Sequence, residues 1–321
     1  MEKTAKIARR RTGGRGRISE QRAVSAAEIE RRTRALEEKL ACLSCQHDEL
    51  HQALADAAQT QRRLCGPHFL RCRSFEIAGE LFPVRLLSGD FLCVCCLEGD
   101  LLVGIGDICG KGPTAGLWLT HIVGMARLLF SRSGDPGATL TAINDELAAY
   151  QMESAFTSMF LARLDPRSGI LVYSNAGHPP AILIDAADQA RPLGEGGPLL
   201  GVVAGAPFPS AKVEILPGET LIGFSDGILE RTDGRGHEFG TERIIAAALR
   251  SQQAGARATV FSILAALGDF AGNRPPEDDL GILVVHRGAE AQSEQPEIFH
   301  TIEMPAIEPD ADGATAEARA A

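Results

Sequence analysis

The sequence predicts an α+β fold in which helices cover antiparallel sheets, and three observations predict it. From Phe75 onward the chain breaks into short β-rich runs, at Phe75–Ala78, Phe91–Leu97, Leu101–Ile108, Ser158–Leu164, Ile170–Asn175, Ala181–Ile184, Val213–Leu216, Thr220–Phe224 and Leu280–His286. Helical periods interrupt them only at about 114–130, 138–150, 241–250 and 259–270, too seldom for the strand–helix alternation that builds a parallel sheet. The turn dipeptides Asp135-Pro136, Asp165-Pro166, Pro217-Gly218 and Asp233-Gly234 fall between these runs, where a fixed proline φ and the local hydrogen bonding of Asp favour a reversal.

The N-terminal elements are of another kind. Residues 1–40 carry twelve Lys/Arg against six Asp/Glu, while the remainder carries twenty against thirty-six. Residues 1–18 therefore read as a basic disordered arm, with Arg9, Arg10, Arg11, Arg15 and Arg17 but no aromatic residue to stack a base. An acidic body repels nucleic acid, so none is expected as a partner. Residues 19–64 read as a coiled-coil helix. Ile29, Leu36, Leu43, Leu50, Ala57 and Leu64 recur at one seam position, and Thr33, Leu40, His47, Leu54 and Gln61 at the other. So narrow a stripe cannot be buried by one helix alone, which predicts a homodimer through 29–64, weakened by the polar seam residues. Beyond about Gly288 eight Asp/Glu stand against one Arg, and residues 289–321 read as a disordered acidic tail.

Composition narrows the class. A mean hydropathy of -0.01 with 45% apolar residues describes a globular chain. No apolar run approaches the roughly 18–20 residues of a membrane helix, and the N-terminus lacks the apolar core of a signal peptide, so the cytoplasm is the expected location. All eight cysteines lie between Cys42 and Cys109. Cys42-x-x-Cys45 has no second pair behind it, and Cys65-x-x-His68-x-x-x-Cys72 is only a loose match to zinc spacing. Cys93, Cys95 and Cys96 sit in an apolar run as small core residues. His47-Asp-Glu-Leu-His51 lacks the Glu that follows the first His of a zinc-protease helix.

Four acidic positions stand at strand ends or in glycine turns, in Ser88-Gly89-Asp90, in Gly106-Asp107-Ile108-Cys109-Gly110-Lys111-Gly112, in Ser225-Asp226-Gly227 and in Asp278-Asp279. Such turns can bring carboxylates and a neighbouring carbonyl to a hard cation such as Mg²⁺ or Mn²⁺, although Asp-Gly is also an ordinary turn dipeptide. A rival stands in Gly223-Phe-Ser225-Asp-Gly227, which fits a nucleophile elbow with Asp269 or Asp278 and then His286 downstream. Its context is poor, because Asp233-Gly234 breaks the chain where the elbow needs a long helix.

The succession SGDF, IGDICGKG, FTSMFLARLDPRSGILVYSNAGHPPAILI, GGPLLG, LIGFSDGILERTDGRGHEFG and EDDLGILVV resembles the SpoIIE-type branch of the metal-dependent protein serine/threonine phosphatases, which serve bacterial partner-switching pathways. The resemblance runs from about Cys65 to His286. It implies an α-β-β-α sandwich over residues 65–288 and hydrolysis of phosphoserine or phosphothreonine on a small protein, an anti-sigma-factor antagonist. It further implies two divalent cations, Mn²⁺ or Mg²⁺. Asp107 would bridge them, Asp226 and Asp278 would complete the first, and Asp90 with the carbonyl of Ile108 would hold the second. The chain departs from the family pattern at Ser88 and Cys93, which replace a glycine and a second acid, and at Cys109, which replaces a hydroxyl residue. These departures motivate an alternative, a catalytically silent binding scaffold, with a Ser225 esterase behind it. Asn175-Ala-Gly-His178-Pro-Pro is expected to be a structural turn beside the site.

Overall fold

A computed structural model describes residues 2–66, 68–97, 99–150, 156–289 and 293–299, with side chains in the first helix from Glu28 on. The elements in chain order are α1 (Glu2–Cys65), β1 (Phe69–Arg73), β2 (Phe75–Phe82), β3 (Phe91–Leu97), β4 (Asp100–Ile108), α2 (Pro113–Ser133) and α3 (Pro136–Ala149). There follow β5 (Thr157–Leu164), β6 (Ile170–Ala176), β7 (Ala181–Ile184), β8 (Ala190–Leu193), β9 (Gly196–Gly197), β10 (Ala211–Glu214) and β11 (Thr220–Phe224). The last are α4 (Asp226–Leu229), α5 (Gly240–Leu249), α6 (Ala256–Ala271), β12 (Leu280–Arg287) and β13 (Ser293–Phe299). Every strand and helix expected from Phe75 to His286 is present, with shifts of a few residues at the ends.

One sheet has the order β13-β1-β2-β12-β11-β7-β8 and the other β10-β6-β5-β4-β3. All pairings are antiparallel except the two-residue contact of β9 with β6. Alternation along the strands builds the layers, because successive side chains point to opposite faces. In β12, Leu283 and Val285 enter the core between the sheets, while Ile282 and Val284 enter the core under α5 and α6. In β4, Leu101, Val103 and Ile105 face the opposing sheet, while Leu102 and Ile108 face α2 and α3. Both faces of each sheet are thus covered, which is the α-β-β-α sandwich. Among the described residues no helix is long and apolar enough to cross a membrane.

Three N- and C-terminal expectations change. Residues 2–18 continue α1 instead of forming a disordered arm. Beside Gly13, Gly14 and Gly16 the stretch carries two Lys, five Arg, Ala5, Ala8 and Glu2, all good helix formers, and no proline precedes Pro67. Residues up to Asp56 form one unit and residues from Ala57 on another. Within the second unit the last turns of α1 bury Ala58, Gln61 and Cys65, while the seam residue Leu64 stays exposed. Residues 293–299, placed by composition in an acidic tail, form β13 against β1. Pro296 is tolerated there because β13 is an edge strand with an irregular register. Residues 300–321 of that tail lie outside the described residues.

Candidate functional site

Strand register brings the four acids to one end of the sandwich. Phe91 pairs with Gly106, so Asp90 entering β3 and Asp107 near the end of β4 are neighbours in one sheet. Phe224 pairs with Ile282, so Asp226 after β11 and Asp278 before β12 are neighbours in the other. Each sheet contributes two carboxylates. A Cβ on Gly227 would collide with the Asp279 carbonyl oxygen, and one on Gly281 would come within 3.0 Å of Asp90 Oδ2. Glycine at both positions lets the two β11–β12 ends close around the acids.

The electrostatics follow from that crowding. Burial, and then the Asp107 charge, push the Asp90 carboxyl well above its usual range, a rise that a hydrogen bond from Ser225 partly offsets. Asp107 is raised to about 6 by burial and then by Asp226 and Asp278. Asp226 is raised by burial and then by Asp278. One cation answers them, for Lys111 Nζ lies 2.7 Å from Asp278 Oδ1 and donates to the Glu277 carbonyl at 3.0 Å. Asp90 is 2% exposed, and its Oδ2 has no hydrogen-bond partner among the described residues. A buried acceptor without a donor is an oxygen available to a cation, and an all-oxygen donor set suits Mg²⁺ or Mn²⁺. Among the described residues no three acidic, His or Cys side chains close on a single point; Asp278 is turned to Lys111 instead. The residues fit a hard divalent cation by donor type and by the orphaned Asp90 oxygen.

Several residues support this group that motif reading passed over. Asp279 accepts from Val84 N at 2.7 Å, Ser88 Oγ at 3.0 Å and Gly89 N at 2.8 Å. It fixes the turn that delivers Asp90, and Ser88, unusual at its position, supplies one of the three donors. The doublet Asp278-Asp279 was the visible signal. Gln61, seen in sequence only as a flaw in the heptads, donates to the Ser88 carbonyl and accepts from Ser88 N. Cys93 is fully buried in the core that contains α2, so the missing second acid leaves no ligand pointing at the site.

The remaining candidates separate from the centre. Asn175 accepts from His178 N and donates to His178 O, both at 2.8 Å, closing the expected turn. His178 Nδ1 lies 2.8 Å from Ser158 Oγ, on the residue paired with Asp107. Burial lowers this imidazole to about 3, against the opposing pull of the Phe224 carbonyl. Ser225 is 0% exposed and accepts from Gly281 N at 2.9 Å. His286 bonds Thr220, with which it pairs at the far end of β11 from Ser225. No esterase triad is assembled. Cys65 and Cys72 belong to different cores and His68 bonds the Gly79 carbonyl, so these three do not converge. Cys42 and Cys45 are exposed on α1.

The family model described as stage II sporulation protein E (SpoIIE) matches residues 98–288. Protein IcfG of Synechocystis sp. is 28% identical over 202 residues, covering 54% of this chain and 32% of its own. Phosphoserine phosphatase RsbU of Bacillus subtilis is 24% identical over 183 residues, covering 57% of this chain and 55% of its own. The chain thus spans about a third and about half of the length of these two relatives. Among solved structures, the SiaA-PP2C domain of Pseudomonas aeruginosa superposes with a TM-score of 0.64 at 19% identity, over 75% of this chain and 98% of that domain.

Proposed function

The chain belongs to the SpoIIE family, and from that premise we propose that it is a metal-dependent protein phosphatase acting on phosphoserine or phosphothreonine of a small regulatory protein, an anti-sigma-factor antagonist. The observation that carries the reading is the meeting of Asp90, Asp107, Asp226 and Asp278 at one end of the sandwich, two from each sheet. When bound, two Mg²⁺ or Mn²⁺ ions would polarise the phosphoryl group and acidify a water. Asp107 would be shared, Asp226 and Asp278 would hold one ion, and Asp90 with the Ile108 carbonyl the other.

The chain's own residues do the rest. Asp279 and Gln61 hold the Ser88–Asp90 turn, and Ser225 orients the Asp90 carboxyl. Lys111 stands at the rim as a mobile point charge. Once turned from Asp278, it can take a phosphoryl oxygen and help neutralise the charge that grows there. Cys109 is exposed in the turn where a hydroxyl residue is usual, and His178 is buried and neutral, so protonation of the leaving group falls to solvent.

Residues 29–50 support a second part of the reading, a homodimer. Ile29, Leu36, Leu40, Leu43 and Leu50 are each more than 60% exposed, an apolar heptad seam that a second copy would cover. For the activity the decisive assay offers purified protein a phosphomonoester and a carboxylic ester, with Mn²⁺ and with chelator. Phosphate release that needs Mn²⁺ supports the proposal. Turnover of neither substrate, nor of a phosphoserine protein, would make the chain a silent scaffold.

A further inference from the structure

We infer that Arg231 is a positioning residue that orders the loop carrying Asp278, and so sets the affinity of the metal centre. The inference rests on the proposal that Asp278 is a ligand.

Asp278 ends an exposed loop, Gly272 to Asp278, in which every residue is open to solvent. Such a loop places a ligand loosely unless something ties it. Pro275 and Pro276 have no N–H to give, so at its middle the loop is held through carbonyls. Among the described residues, two side chains reach its carbonyls from elsewhere in the fold. Arg231 Nη1 donates to the Pro275 carbonyl at 2.7 Å, and Nη2 donates to the Arg274 carbonyl. Lys111 holds the Glu277 carbonyl and the Asp278 carboxylate.

The two ties differ in kind. Lys111 occupies the carboxylate that a cation needs, so it must let go of that oxygen when a cation arrives. Arg231 holds only carbonyls three and four residues before Asp278 and keeps its grip in either state. It is also buried, at 9% exposed, and makes no ion pair among the described residues. Burying a guanidinium against neutral carbonyls is an unfavourable arrangement for stability alone. Its position gives the arrangement a use. Arg231 lies five residues after Asp226, just past α4, so one short segment presents one carboxylate and fastens the loop that presents the other. The planar fork matches two successive carbonyls, which a single ammonium does not.

The test is direct Mn²⁺ binding, followed by the paramagnetic resonance of free Mn²⁺, on full-length wild type, Arg231→Met, Arg231→Lys and Asp278→Asn, with thermal melting of each. Loss of a residue that orients a ligand typically weakens metal binding about 10–100-fold, and Arg231→Met is expected to weaken Mn²⁺ binding about tenfold, with phosphatase turnover at saturating Mn²⁺ nearly unchanged. Arg231→Lys should recover less than half of that loss on a logarithmic scale. In an Asp278→Asn background, Arg231→Met should add nothing. A lower melting temperature with unchanged Mn²⁺ affinity would overturn the inference, as would full additivity in the double variant. Should Arg231→Met not fold, Arg231→Lys decides by the same comparison. A wild type that binds no Mn²⁺ would instead overturn the metal reading itself.

Discussion

Gln61 and Ser88, separated by 27 residues, exchange two hydrogen bonds: Gln61 Nε2 donates to the Ser88 carbonyl at 3.1 Å, and Ser88 N donates to Gln61 Oε1 at 3.3 Å. Both residues are buried. The last turns of α1 are thereby fastened to the turn that delivers Asp90. Removing the amide strands two buried backbone groups, so Gln61→Ala is expected to cost about 1–3 kcal/mol in denaturant unfolding. The same variant should need more Mn²⁺ for half-maximal activity. Equal stability in the two proteins would show that the pair contributes nothing.

Asp107 is pushed up by burial and by the Asp226 and Asp278 charges, and as the proposed shared ligand its loss should abolish turnover. Asp107→Ala is expected to fold, relieved of a buried charge, and to show no Mn²⁺-dependent phosphate release. Asp278→Asn should be nearly as damaging. Either variant keeping more than about a tenth of wild-type turnover, a barrier change under about 1.4 kcal/mol, would contradict the assignment.

Ser225 and Asp226 are adjacent, yet the fold gives them opposite roles. The Ser225 hydroxyl is wholly buried between Asp90 and Gly281, where no substrate carbonyl can reach it. Ser225→Ala should lower turnover by less than about tenfold and stability by about 1 kcal/mol, the worth of a neutral hydrogen bond. Asp226→Ala should be inactive at any Mn²⁺ concentration. Parallel rate measurements on the two variants settle the order, and a dead Ser225→Ala that still binds Mn²⁺ would reverse it.

His178 is held neutral by burial, its folded value of about 3 lying far below the 6.5 of a free imidazole. A group with a depressed folded value leaves the unfolded state binding the extra proton, so its contribution to stability is lost as pH falls below about 6.5. The stability advantage of wild type over His178→Gln should therefore shrink by roughly 2 kcal/mol between pH 7 and pH 5, at about 1.4 kcal/mol per pH unit. Urea unfolding of both proteins at the two pH values measures it; a constant gap would mean that the imidazole is protonated in the fold.

Leu43, 61% exposed on α1, lies in the middle of the apolar seam. In a homodimer through this seam, parallel or antiparallel, the second copy covers it, and Leu43→Asp should yield monomer at neutral pH. Light scattering at micromolar concentration reads the mass directly. A dimer untouched by Leu43→Asp would place the subunit contact outside residues 29–50.

The sequence by itself determined the order of strands and helices, because a strand covered on both faces must be a short, nearly continuous apolar run and its turns need Pro, Gly or Asp. The four acids were legible for an equally local reason, each standing at a strand end or in a glycine turn. What only the tertiary structure decided is which neighbours make those acids useful. Asp279 differs from Asp278 by one position, yet strand alternation sends it into the interior to three donors 190 or more residues away. Gln61 reads as a blemish in a heptad until Ser88 is folded against it, and nothing in the sequence marks Arg231 until its guanidinium meets the Arg274 and Pro275 carbonyls. Ser225 fits a nucleophile motif letter by letter and is excluded because the register of β11 and β12 buries its hydroxyl and carries His286 to the other end of the strand. Hydrogen-bond partners far apart in the chain leave no periodic trace in it, since only the tertiary packing brings them within hydrogen-bond distance.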